Sequence, residues 1–105
     1  MKICLLDTTR KLKKVKKILE QEFVVETKEN LYFKMTKNDY VIVSNEVGTL
    51  EGLEKLKNIF LLTENKEYHF VWQCMMQYKL IDVIDNQLEE SYIANRIATK
   101  LRRIA

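Results

Sequence analysis

A chain of 105 residues, 47% hydrophobic and 31% charged, has room for one globular core and little more. That balance excludes a disordered segment, and no apolar run approaches the roughly 20 residues needed to cross a bilayer. The net charge of +3 divides unevenly: residues 1–17 set seven basic side chains against Asp7, a local +6, which leaves −3 for the remainder. A uniformly basic nucleic-acid binder would not show this split. The opening Met1-Lys2-Ile3-Cys4-Leu5-Leu6-Asp7 is too short before its acid to be a signal peptide. It predicts a buried strand, and with it a cytoplasmic domain spanning 1–105, alone or as one domain of a longer protein.

After that first strand, Thr8 or Thr9 can cap a helix, because a hydroxyl oxygen accepts a free N–H of the first turn. Leu12, Val15, Ile18 and Leu19 fall on one stripe of it and lysines fill the rest. Phe23-Val24-Val25 predicts a second strand and Glu29 to Thr36 a second helix with Leu31, Phe33 and Met35. Tyr40-Val41-Ile42-Val43 is an unbroken strand sequence, β-branched and led by an aromatic. Ser44 to Gly48 reads as a loop, with Thr49 capping a third helix that turns Leu50, Leu53 and Leu56 inward. Ile59 to Leu62 is a fourth strand ending at Thr63, and Lys66 to Tyr78 a fourth helix rich in aromatics and methionine. Leu80 to Ile84 predicts the fifth strand. Asp85 or Asn86 is the expected cap of a fifth helix, which buries Leu88, Ile93, Ile97, Leu101 and Ile104.

Five strands alternating with five helices imply a parallel sheet covered on both faces by right-handed crossovers. The expected fold is therefore α/β: a single flavodoxin-like (βα)5 three-layer domain with strand order 2-1-3-4-5. Ligands of such sheets sit beyond the carboxyl ends of the strands. Here that edge comprises Asp7, Thr8, Ser44, Asn45, Thr63, Glu64, Asp85 and Asn86.

The order, length and capping of these elements resemble the receiver domain of response regulators over essentially the whole chain. Asp39-Tyr40-Val41-Ile42-Val43 is similar to that family's third strand, and the phosphoacceptor aspartate that should follow is Ser44. Ile59-Phe60-Leu61-Leu62-Thr63 resembles the fourth strand, with its terminal hydroxyl residue kept at Thr63. The family's lysine and cis-proline after the last strand fall on Asn86 and Gln87. Of the acid pair that would hold magnesium, Asp7 is present and Thr8 replaces its neighbour. The segment between Ser44 and Thr63 is also shorter than the family's.

The resemblance implies a receiver without its switch. Phosphoryl transfer to a carboxylate needs that carboxylate, a divalent cation and a cation to hold the product. Magnesium takes hard oxygen ligands, usually with one or two carboxylates, and Asp7 beside a neutral Ser44 makes a poor site. No histidine or lysine stands near Ser44 in sequence to activate it. Asp39 should lie at the opposite end of the sheet, and Asp85 is better spent on a cap, so neither is expected to replace the acceptor. The expected role is phosphorylation-independent regulation by protein contact, with no enzymatic activity, metal or cofactor. Two alternatives stay open: a flavodoxin-like site for a small ligand or phosphate at the same edge, and an atypical phosphoacceptor.

The rest of the chain bears on partners. In the fourth helix, Val71, Cys74, Met75 and Tyr78 suffice to cover the sheet. Tyr68, Trp72 and Met76 then form a second apolar stripe at i, i+4 spacing. With Tyr92 on the fifth helix they predict an interface for a homodimer or protein partner, since aromatics and methionine are enriched at interface cores. His69 has no triad partner and is expected at the surface. The run Lys11-Leu12-Lys13-Lys14-Val15-Lys16-Lys17 reads as a solvated helix face. No aromatics interleave it and no helix-turn-helix occurs, which argues against nucleic-acid binding by this domain alone. Cys4 and Cys74 lie in apolar stretches without ligand spacing and are expected to be buried free thiols. No P-loop, GxGxxG or Cys–His arrangement is present.

Overall fold

The computed structural model describes residues 1–6, 10–29, 34–44, 55–64 and 68–104. In chain order they form β1 (Lys2–Leu6), α1 (Arg10–Leu19), β2 (Val24–Lys28), β3 (Asp39–Ser44), β4 (Ile59–Thr63), α2 (Tyr68–Gln77), β5 (Leu80–Asp85) and α3 (Glu90–Ile104). The strands make one sheet in the order β2-β1-β3-β4-β5, every pair parallel. α2 and α3 correspond to the fourth and fifth helices expected from the sequence.

The three central strands explain their own hydrophobicity. Successive side chains of a strand point to opposite faces, and here both faces are buried. Ile3 and Leu5, Tyr40 and Ile42, and Phe60 and Leu62 enter one core, with Leu12, Val15 and Leu19 of α1 and Ile93, Ile97 and Leu101 of α3. Cys4 and Leu6, Val41 and Val43, and Ile59 and Leu61 enter the other, under Cys74 of α2. An unbroken apolar run is what a strand clad on both sides requires.

Several elements differ from the sequence-based expectation. β2 runs on to Lys28, and Glu29 and residues 34–36 are not helical; the middle of the expected second helix, 30–33, lies outside the described residues. So do the loop expected after Ser44 and the start of the expected third helix, 45–54, whereas Leu56, expected on that helix, is buried without being helical. Leu56 leads to Asn58, whose φ of 57° lies in the left-handed region that Asn tolerates better than most residues. That turn lets the Asn58 carbonyl accept the Val41 N–H at 2.9 Å and its side-chain amide donate to the Asp39 carbonyl at 3.1 Å. The chain thus enters β4 in register with β3.

The last helix starts later than expected. The Asp85 carboxylate accepts the Gln87 N–H at 2.9 Å, so it closes a turn rather than capping a helix. The first helical bond runs from the Ile93 N–H to the Glu89 carbonyl at 3.0 Å. Leu88 therefore precedes α3, half-buried, and Ile104 at its far end is exposed. Arg96 ties α3 to β5 through two hydrogen bonds to Asp82, at 2.7 and 2.9 Å.

Candidate functional site: the carboxyl edge of the sheet and the helical side

Parallel pairing brings the expected edge residues together. Ser44 ends β3 opposite Leu62, and Thr63 ends β4 opposite Asp85. The Asn86 N–H then donates to the Thr63 carbonyl at 3.1 Å, which carries position 86 over the end of β4. Ser44, Thr63 and Asn86 are only 4%, 2% and 4% exposed, whereas Glu64 is open to solvent. Asp7 and Thr8, which follow β1, lie outside the described residues. Among the described edge residues, Ser44, Thr63 and Asn86 are neutral hydrogen-bonding groups that the fold covers, and the acids Glu64 and Asp85 stand outside them. Among the described residues, no group of three His, Cys, Asp or Glu side chains is placed to hold a metal ion.

Asp39 lies at the amino end of β3, paired with Lys2 at the start of β1 and remote from Ser44. It is buried, and its carboxylate accepts the Thr36 N–H at 2.8 Å with the Lys2 ammonium 4.0 Å away. Burial pushes this carboxyl upward, but the hydrogen bonds from Thr36 and the charge of Lys2 outweigh it and hold it below the ordinary value. Asp39 is a turn-forming group. Both thiols, Cys4 and Cys74, are free and buried, and burial raises each above the usual thiol range.

The helical side carries the other predicted residues. Trp72 and Met76 on α2 are 51% and 71% exposed, and Tyr92 on α3 is 53% exposed. The side chain of Tyr68 lies outside the described set, as does that of His69. Met75 was expected against the sheet but is 59% exposed. Cys74 and Tyr78 pack on that face, so the outward apolar surface of α2 is wider than the stripe of Tyr68, Trp72 and Met76 that was expected. On α1, Lys13, Lys14 and Lys17 face solvent, and Lys16 pairs with Glu20 at 3.8 Å. On the outer face of α3 the sequence had singled out Tyr92 alone. There Tyr92, Asn95, Arg96, Thr99, Lys100 and Arg103 line a cleft of about 280 Å³. Their spacing of three and four residues was the available signal, hidden because polar helix faces are usually just solvated.

No family model matches the chain, and neither does any curated protein. Solved structures do. An orphan response regulator of H. pylori, HP1043, superposes with a TM-score of 0.75 at 18% identity, over 96% of each chain. An atypical orphan response regulator described as having a phosphorylation-independent regulatory mechanism gives the same score and identity, over 97% of this chain and 96% of its own. A putative CpaE2 pilus assembly protein of Sinorhizobium meliloti follows at 0.69 and 13%, over 96% and 99%. Likeness at such identities speaks for the fold alone: with the strand order 2-1-3-4-5, it gives this chain the receiver-like, flavodoxin-like α/β fold.

Proposed function

We propose that this domain is a pseudo-receiver: a non-catalytic regulatory module that acts through protein contact rather than through an aspartyl phosphate. The observation that carries this reading is Ser44, a neutral and buried residue at the end of β3, where the receiver pattern has its acceptor carboxylate. The neutral Thr63 and Asn86 beside it agree with this, since no lysine stands at position 86 to hold a phosphoryl product. A serine hydroxyl is a far weaker nucleophile toward a phosphoryl donor than the carboxylate it replaces. The atypical orphan regulator that shares the fold is described as phosphorylation-independent, which lends the reading a precedent. In place of the switch, the exposed Trp72, Met75 and Met76 of α2 and Tyr92 of α3 supply a contact surface, and self-association through it is the working form of the module. No described helix is long and apolar enough to cross a membrane.

The test is an amide-shift titration of the isotope-labelled protein with magnesium and beryllofluoride, then with acetyl phosphate. Resonances of Ser44, Thr63 and Asn86 should stay in place. Saturable shifts centred on Ser44 and Thr63 would overturn the proposal in favour of a working phosphoacceptor or phosphate site.

A further inference from the structure

Between the last turn of α1 and the second half of α3 lies a cavity of about 280 Å³. α1 starts beyond the carboxyl end of β1 and runs back along it, so the cavity lies at the amino end of the sheet, away from Ser44. Ala94 and Ala98 of α3 are small enough to leave the space open. The turn between α1 and β2 closes one side of it. There the Glu22 and Phe23 N–H groups both donate to the Leu19 carbonyl, at 3.1 and 2.8 Å, and the Gln21 N–H donates to Ile18 at 3.3 Å. That turn presents the Glu22 carboxylate to Arg102. The Arg102 Nε donates to both carboxylate oxygens at 2.9 and 2.8 Å, with Nη2 2.8 Å from Oε1. Both side chains are about half in solvent, so the pair forms the cavity's outer rim.

We infer that this cavity binds a free α-amino acid with a small aliphatic side chain, its carboxylate on Arg102 and its ammonium on Glu22. Those two are the only charged groups among the lining residues. Arg102 already holds a carboxylate across its forked donors, and Glu22 is the internal carboxylate that fills them. A ligand with an acid alone would take Arg102 and leave Glu22 facing a like charge; an amine alone would do the same to Arg102. An α-amino acid carries both charges on one carbon, so it enters the pair and each charge meets its opposite. The amides of Gln21 and Asn95 serve the remaining donors and acceptors. The ligand's side chain then rests on Ile18, Phe23, Ala94 and Ala98, a floor with no charge to pair a charged one. The volume falls just below the range of about 300–1,000 Å³ that holds drug-sized ligands, which selects a small one. Such a ligand bridges α1 and α3, and gives a module without an aspartyl phosphate a small-molecule input.

The test titrates the full isotope-labelled chain with L-valine and follows amide shifts, with isovalerate and isobutylamine as controls. L-valine should give saturable shifts confined to the cavity segments, residues 18–23 and 94–102. Isovalerate is valine without the ammonium and isobutylamine is valine without the carboxylate. Each should bind about tenfold more weakly, the loss of one partly solvated charged hydrogen bond. L-glutamate should bind more weakly than L-valine by a similar factor. Glu22→Gln and Arg102→Met should each cost about tenfold in affinity for L-valine. Both residues stand half in solvent, so the fold should survive, which an unchanged amide spectrum away from the cavity checks. Ala98→Leu, which fills the cavity and leaves the rim charges in place, should abolish binding.

No saturation by about 10 mM L-valine would overturn the inference. So would isovalerate or isobutylamine binding as well as valine, because Glu22 or Arg102 would then have no part in recognition. Undiminished binding by Arg102→Met would overturn it as well. Shifts centred on Ser44 and Thr63 would move the amino acid to the carboxyl edge and leave this cavity without a ligand. The beryllofluoride titration reads Ser44 and this one reads the far end of the sheet, so the two readings can fail separately.

Discussion

Every residue of β3 is buried, so Ser44→Asp places a carboxylate where hydration is poor. Burial should raise that carboxyl above its value in the unfolded chain. The variant is therefore expected to be less stable at neutral pH and to recover as the pH falls through the raised value, which urea unfolding at two pH values measures. It should also fail to gain a phosphoryl group from acetyl phosphate and magnesium by intact mass, because position 86 supplies no cation. Asp39 behaves in the opposite sense. Its folded-state value is depressed, so its contribution is complete above the unfolded value of about 4 and is lost as the pH falls through the folded one. Asp39→Asn should lose about 1–3 kcal/mol at neutral pH and flatten the acid limb of the stability profile. Strand direction alone made the location of Asp39 legible in the sequence. Its partners were not, since Lys2 comes from a different strand and Thr36 sits where a helix was expected.

Among the elements, those whose apolar pattern is satisfied by one neighbouring surface were readable, and those that depend on turns were not. α1 presents Leu12, Val15 and Leu19 to the core and lysines to solvent, as its period predicts. In α2 nearly every position is apolar or aromatic, so periodicity could not say that Met75 points outward. The start of α3 was displaced because Asp85 is equally suited to a turn and to a cap. What secures α3 to the edge strand is the Arg96–Asp82 pair, in which the carboxylate is far more buried than the guanidinium. The hydrogen bonds to Asp82 also raise the basicity of Arg96. Arg96→Met should cost about 1 kcal/mol, near the upper end for a partly solvated pair. Amide exchange should quicken in the first turns of α3 and in β5, with α1 unaffected. Equal quickening in α1 would show that the pair acts on the whole core instead.

At the scale of the whole molecule, strand order followed from alternation and crossover handedness. The sequence carried both as unbroken apolar runs separated by amphipathic ones. The two cores meet across the central strands, so Phe60→Ala, at a fully buried site on β4, should cost about 3–5 kcal/mol. That is a large share of the 5–15 kcal/mol typical of a domain, and a urea melt should show it as a large loss of midpoint. The exposed surface poses the converse question. Trp72, Met75 and Met76 contribute little to folding because they remain in water, yet keeping three large apolar groups there favours association. Trp72→Glu should therefore leave the unfolding free energy of the monomer within about 0.5 kcal/mol of its parent, as exposed substitutions do. In light scattering it should halve the mass, since a buried, unpaired carboxylate on each side of a two-fold contact opposes its own copy. A parent that is already monomeric at high concentration, or a variant of unchanged mass, would remove self-association from the role of α2.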